Sequence, residues 1–257
     1  MLKLDVPDVK AKGDAKIMVV MPARNAARTL ERTVAGIPRD WVDEVLLVDD
    51  GSTDNTVELA RTLPLHVIWH PHNAGYGANQ KTCYLEALQR EVDVVVMLHP
   101  DGQYEPSLIP HMVEPILRGE ADLVLGSRLA EGSAAARAGG MPLYKLLGNR
   151  ALTHIENAML GTSLSEMHTG YRAYSRRLLM GIPFLRNSSG FVFDSEVLMQ
   201  AVHLGYRLAE VPARTIYFED ASSISLWGST IYGLKTLGVA ARLVLHRAGL
   251  RSRRFTL

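Results

Sequence analysis

The chain has one cysteine among its 257 residues, Cys83, so it can form no intrachain disulfide and no zinc site of clustered cysteines. A lone thiol fits a reducing, intracellular setting and reads as buried filler in a helix. Charge of one sign is also missing. Lys plus Arg is 28, Asp plus Glu is 27, and the formal net charge is +1. A broad basic footprint for nucleic acid is therefore absent, and no nucleic-acid partner is expected. No apolar run approaches the roughly 20 residues of a spanning helix; Val94-Val-Val-Met-Leu98 is strand-sized. Met1 to Lys16 mixes Lys and Asp without an apolar block, which excludes a secretory signal and predicts a partly ordered lead-in over 1–15. These absences exclude an integral membrane protein, a disulfide scaffold and a repeat array.

Hydrophobic residues make up 47% and charged residues 21%, the balance of a folded domain. Short apolar runs alternate with helical periods along the first half. Strands are predicted at 17–21, 45–48, 65–69, 93–98 and 122–125, with helices at 26–37, 56–62, 78–90 and 108–118 between them. Continuous apolar runs are what strands buried on both faces look like. The alternation predicts an α/β fold, a Rossmann-like and mostly parallel sheet flanked by helices. Further on, helices are predicted at 143–160, 191–204 and 225–248, a short strand-to-helix segment at 173–180 and a last strand at 208–218. Glu131 to Gly140 reads as a mobile loop. One domain is expected over 16–224, followed by an amphipathic helix and basic tail over 225–257.

Ligands of such sheets bind beyond the carboxyl ends of the strands. Four predicted strand ends carry polar turns: Pro22-Ala-Arg-Asn25, Asp49-Asp50-Gly51, His99-Pro-Asp-Gly-Gln103 and Gly126-Ser-Arg128. Asp101 and Gln103 offer oxygen donors two residues apart, which suits a hard divalent cation that keeps positions for phosphate and water. His99 as a third ligand favours Mn2+ over Mg2+. An Asp-Gly turn, with Asp101 bonding its own backbone, explains the same residues without a metal. Of Asp49 and Asp50, one suits a helix cap and the other a ribose or nucleobase.

Five segments occur in order: Met21-Pro-Ala-Arg-Asn25, Val48-Asp-Asp-Gly-Ser-Thr-Asp54, Asn73-Ala-Gly-Tyr-Gly77, Asp101-Gly-Gln103 and Gly126-Ser-Arg128, with Thr169-Gly-Tyr-Arg172 and Glu210-Val-Pro212 behind them. The series resembles the family 2 glycosyltransferases of GT-A fold, in particular the polyprenol-phosphate (dolichol-phosphate) mannosyl- and glucosyltransferase branch. The resemblance implies inverting transfer of a sugar from a UDP- or GDP-sugar donor. It implies that Pro22, Ala23, Asn25, Asp49, Asp50 and Gly77 line the nucleotide-sugar site together with Asp101 and Arg128. Asp101, Gln103 and His99 would hold the Mn2+ or Mg2+ cofactor. Arg128, Arg172 and His168 would meet the diphosphate or an acceptor phosphate. The chain departs from the family pattern at Ala26, where an acidic residue is usual, and at His99, where the metal motif has its first Asp. Gln80 and Tyr84 stand where small residues are common.

A hydroxyl acceptor requires a general base. Asp194 and Glu196 are the candidates, and two apart on one helix they do not face the same way. A phosphate acceptor is already anionic and requires no such base. The last helix carries Leu226, Trp227, Ile231, Leu234, Leu237, Leu243 and Val244, with Arg242, Arg247, Arg251, Arg253 and Arg254 gathered at its end. Apolar and basic residues side by side suit a membrane surface, and equally a core or homo-oligomer contact with a solvated tail. The expected enzyme is a cytoplasmic glycosyltransferase, peripheral at the inner face of the membrane, with a nucleotide-sugar donor and a polyprenyl-phosphate acceptor. The alternatives are a soluble or protein hydroxyl acceptor, a nucleotidyltransferase, and a non-catalytic sugar-nucleotide binder. The absence of glycine between Met21 and Leu30 counts against the nucleotidyltransferase.

Overall fold

Successive residues of the first apolar run point to opposite sides of one sheet. Ile17, Val19 and Met21 join one buried cluster, and Met18 and Val20 join another. Both faces are covered, which is why the strand is apolar throughout rather than alternating. The computed structural model describes residues 12–215 and 226–256. Its strands are β1 (Ile17–Ala23), β2 (Glu44–Asp49), β3 (His66–Trp69), β4 (Val94–Met97), β5 (Leu123–Ser127), β6 (Arg172–Ser175) and β7 (Leu208–Pro212). They form a single sheet in the order β3-β2-β1-β4-β6-β5-β7. All pairs are parallel except those of β6, which runs against both β4 and β5.

The helices are α1 (Leu30–Ala35), α2 (Thr56–Ala60), α3 (Tyr76–Gln89), α4 (Ile109–Leu117), α5 (Ser133–Ala138), α6 (Leu143–Leu160), α7 (Arg176–Gly181), α8 (Phe193–His203) and α9 (Leu226–Arg247). Leu30 and Val34 of α1 cover one face with Ile109, Met112 and Val113 of α4. Tyr84 of α3, Phe193 and Val197 of α8, and Val239, Ala240 and Leu243 of α9 cover the other. The expected mostly parallel α/β sheet is present. The strand order reverses between β1 and β4, so a crevice opens beyond their adjacent carboxyl ends. Reversed β6 begins at that same rim, because Arg172 pairs with Met97 and Leu125, each near the carboxyl end of its strand.

Three sequence expectations are corrected in detail. The first helix begins at Leu30 rather than Ala26, because the preceding main chain bonds elsewhere. Asn25 takes a left-handed φ of 53° and its N–H goes to Ser52 Oγ, while the N–H of Ala26 goes to Thr56 Oγ1. The last strand ends at Pro212 rather than Phe218, and 216–218 lie outside the described residues, as do 1–11 of the lead-in. The tail is not a free basic cluster. Phe255 is buried beside α8 and α9, Arg254 pairs with Glu196, and Arg247 donates to the carbonyl of Leu160. Arg242, Arg251 and Arg253 remain exposed, and the side chains of Leu226 and Trp227 lie outside the description.

Candidate active site

The rim of the sheet gathers the segments that the sequence placed at strand ends. Ala23 pairs with Asp49, and the N–H of Asp50 donates to the carbonyl of Ala23, so Pro22, Ala23, Asp49 and Asp50 form one wall. Both carboxylates are buried and engaged. Asp49 accepts the N–H and the hydroxyl of Ser52 in a tight turn. Asp50 accepts the N–H groups of Ala74 and Gly75 at 2.8 and 3.0 Å, and lies 2.9 Å from His70 Nδ1. Asp50 thus pins the 73–75 loop to the sheet. Asn25 is tied in as well, its Oδ1 accepting the N–H of Thr53 at 2.8 Å. Gly77, expected to line the nucleotide site, is in close contact with protein. It packs against the 188–190 segment, where an added Cβ would stand 2.4 Å from the carbonyl oxygen of Ser188.

The turn after β4 contributes His99, Asp101 and Gln103. Asp101 accepts the backbone N–H of Gln103 at 3.0 Å and its side-chain amide at 3.1 Å. The Asp-Gly turn and the oxygen cluster are therefore one arrangement, and Gly102 at φ 71° makes it possible. Burial raises the Asp101 pKa, and the nearby His99 offsets this only in part. A carboxylate desolvated in this way gains from a cation. Among the described residues no group of three His, Cys, Asp or Glu side chains surrounds an ion position. A divalent cation fits if it draws its remaining ligands from Gln103, a diphosphate and water, as hard cations bound with phosphate do.

Behind His99 stands a residue that sequence reasoning left unassigned. The Tyr76 hydroxyl donates to Asp194 Oδ2 at 2.6 Å and lies 3.1 Å from His99 Nε2. Asp194 is thereby brought to the site, while Glu196 is not. Glu196 is fully buried, accepts the N–H of Ser188 at 2.6 Å and pairs with Arg254 of the tail. About half a turn of α8 separates the two, which points them to different sides of the helix. Arg172 is also corrected. Expected at a phosphate, it has no solvent exposure and donates to the main-chain carbonyls of Thr169 (2.8 Å), Asp194 (2.8 Å) and Met167 (3.0 Å). Burial opposes its charge, and the Asp194 carboxylate together with Tyr174, Tyr232 and Tyr76 outweighs it.

Arg128 and His168 sit on the far side of the turn, in the lining of a cavity of about 540 Å³ between α6 and α9. Gln103 reaches the same cavity. Its walls are Leu152 and Ile155 of α6 with Leu234 and Leu237 of α9, and its cations are Arg128 and Lys145. No carboxylate lines it among the described residues. Arg128 is held from behind by buried Glu166, which accepts from its main-chain N–H (2.7 Å) and its Nε (2.8 Å). Burial disfavours the Glu166 anion, but Arg128 and Asn149 overcome this and hold the carboxyl below the usual range. Lys145 has its pKa lowered by burial and by the charge of Arg128. His168 lies 2.9 Å from Glu156 Oε2 through Nε2 and 3.2 Å from the Tyr232 hydroxyl through Nδ1.

Residues 18–182 match the glycosyl transferase family 2. The chain belongs to that family. Over 222 residues it is 31% identical to an uncharacterized protein of Methanocaldococcus jannaschii, covering 86% of this chain and 89% of the relative. It is 29% identical over 249 residues to an undecaprenyl-phosphate mannosyltransferase of Micrococcus luteus, covering 93% and 98%. It is 27% identical to a UDP-N-acetylglucosamine–dolichyl-phosphate N-acetylglucosaminyltransferase of Methanococcus voltae, covering 80% and 88%. Among solved structures, glucosyl-3-phosphoglycerate synthase from Mycobacterium tuberculosis with Mn2+, UDP and phosphoglyceric acid superposes with a TM-score of 0.68 at 22% identity, covering 95% of this chain and 82% of that one. Its likeness is one of fold.

For a family 2 glycosyltransferase, the residues missed by sequence reasoning are instructive. Tyr76 stood inside a recognised segment, between Gly75 and Gly77, but its partners lie 23 and 118 positions away. Lys145 and Asn149 lay in an ordinary amphipathic helix. Their four-residue spacing on one face was the available signal, and it means little until Arg128 and Glu166 are known to oppose that face.

Proposed function

We propose that this glycosyltransferase moves a sugar from a nucleotide-sugar donor to a polyprenyl phosphate at a membrane surface. The carrying observation is the cavity beside the metal turn. It is apolar along α6 and α9, cationic at Arg128 and Lys145, and lined by no carboxylate among the described residues. An isoprenoid phosphate has the matching form, an anionic head on an apolar chain. Its phosphate oxygen is already a nucleophile, so it needs no carboxylate base of the kind that a sugar or protein hydroxyl usually requires. Relatives named for undecaprenyl- and dolichyl-phosphate transfer support the same acceptor.

On the donor side, Pro22, Ala23, Asn25, Asp49 and Asp50 form the nucleotide wall, and Asp101, Gln103 and His99 would hold Mn2+ or Mg2+. Bound there, the ion supplies positive charge to the departing nucleoside diphosphate. Arg128 shares the cavity lining with Gln103 of the metal turn and orients anionic oxygen, with Glu166 fixing its guanidinium. In an inverting displacement an acceptor held in the α6–α9 cavity would attack the sugar from the side opposite the departing diphosphate.

No helix among the described residues is long and apolar enough to cross a membrane. Leu143, Tyr144, Leu147 and Ile155 of α6 and Leu234 of α9 are nevertheless exposed around the cavity, and they form the surface that would meet lipid. The test is a transfer assay with radiolabelled UDP- and GDP-sugars, Mn2+ and a short polyprenyl phosphate in detergent. The expected result is label in an acid-labile lipid extract that disappears in Asp101→Ala. Label appearing only on water-soluble acceptors, or no turnover of any donor, would overturn the acceptor assignment.

A further inference from the structure

We propose that Tyr76 and Asp194 are positioning residues that hold His99 as its Nε2–H tautomer and so leave the Nδ1 lone pair for the divalent cation. The inference rests on the metal reading above. A phenol has one proton. Tyr76 directs it to Asp194 Oδ2 at 2.6 Å, so toward His99 Nε2, 3.1 Å away, the phenol oxygen can only accept. Neutral imidazole carries one N–H, and with Nε2 as the donor the free lone pair falls on Nδ1.

The ring has little freedom to do otherwise. It stacks on Tyr76, with centroids 5.6 Å apart and planes 21° from parallel, and Tyr76 packs its ring against Phe191 at 4.9 Å. A Cβ at position 170 would stand 2.8 Å from His99 Nε2, so Gly170 leaves room for the imidazole and for little else. Asp194 is itself fixed, since Arg172 donates to its carbonyl at 2.8 Å. The line Asp194–Tyr76–His99 thus provides what a metal-bound histidine usually has, an acceptor for its other N–H backed by a carboxylate. A nitrogen ligand beside Asp101 also shifts preference from Mg2+ toward Mn2+.

The experiment uses the full chain labelled with 15N-histidine, metal-free, at a pH well above the ordinary imidazole range. His99 is assigned by its loss in His99→Gln, and long-range 1H–15N spectra report its tautomer. Mn2+ affinity is followed separately by loss of the free-ion EPR signal. Nε2–H is expected in the parent. Tyr76→Phe keeps the ring contacts and deletes the acceptor, so it should admit the Nδ1–H form and weaken Mn2+ binding by about 10-fold or more. Asp194→Leu removes the acceptor of the phenol proton, which can then turn to His99 Nε2, so it should do the same and guards against a fold defect peculiar to one variant. An Nδ1–H tautomer in the parent with normal Mn2+ binding overturns this inference and leaves the metal reading standing. Unchanged affinity in both variants also overturns it. Absence of Mn2+ binding in a parent that shows Nε2–H overturns the metal reading, and with it the role assigned to Nδ1.

Discussion

Replacing Arg172 separates a structural arginine from a phosphate-binding one. Its guanidinium is fully buried and donates to three main-chain carbonyls at 2.8, 2.8 and 3.0 Å. Arg172→Met fills similar space but leaves those three acceptors without a donor. Orphaning a buried acceptor costs about 1–3 kcal/mol. Taking about 1–2 for each, to allow for partial relaxation, gives roughly 3–6 kcal/mol, before counting an Asp194 carboxylate that loses its nearby positive charge. That is a large part of the roughly 5–15 kcal/mol by which a domain is stable. With a urea slope of about 3 kcal/mol/M, the unfolding midpoint should fall by about 1–2 M. Acceptor affinity of the remaining folded fraction should change little. The reasoning is refuted if the midpoint stays within about 0.2 M of the parent while acceptor KM rises steeply, because a solvent-facing phosphate ligand would behave that way.

Other perturbations follow from the same geometry. Gly77→Ala drives a Cβ to within 2.4 Å of the Ser188 carbonyl oxygen, and backbone must move to admit it. A loss of about 1–3 kcal/mol is expected in a thermal melt, together with weaker nucleotide binding as the 73–77 loop shifts. Glu166 is held below the ordinary glutamate range in the folded protein. The stability contributed by its ionised form is therefore present above the unfolded value of about 4.3 and disappears as pH falls through the lower folded value. Glu166→Gln should flatten that acid limb in melts recorded below about pH 4.5, and an identical limb in the variant would remove Glu166 as its source. Lys145→Met should raise acceptor KM by about 10-fold with donor affinity intact, since the lysine lines the α6–α9 cavity; an equal loss on the donor side would place it elsewhere. Deleting residues 226–257 strips Val239, Ala240, Leu243 and Phe255 from the core, so it should give insoluble protein rather than a test of lipid binding. Flotation of Leu143→Glu/Leu147→Glu with anionic liposomes is the cleaner measurement, with reduced binding expected.

The order of strands and helices was legible because local rules govern it. Continuous apolar runs as short as Ile17–Met21 are what strands buried on both faces look like, and the helical periods between them favour a parallel sheet. The polar strand-end turns were legible for the same reason, and so was the family. Less was legible where bonding is long-range. Asn25 and Ala26 give their N–H groups to Ser52 and Thr56, which shortens a helix that the periodicity extends to Ala26. Glu196 and Arg172 carry the residue types of a site, yet burial assigns each to the scaffold.

Sequence by itself determined which chemical groups stand at the strand ends, because neighbours in the chain remain neighbours in a turn: Asp101 with Gln103, and Asp49 with Asp50. Only the tertiary structure decided which groups from distant segments share a space. Asp194 reaches His99 through Tyr76 because α3 and α8 pack on one face of the sheet, and Glu196, two positions on, turns to the tail instead. Lys145 meets the charge of Arg128 because α6 and the turn after β5 line one cavity. A side chain's type is set residue by residue, but its solvent exposure and its partners are set by how elements pack, and those decide whether a charge binds a substrate or holds the fold.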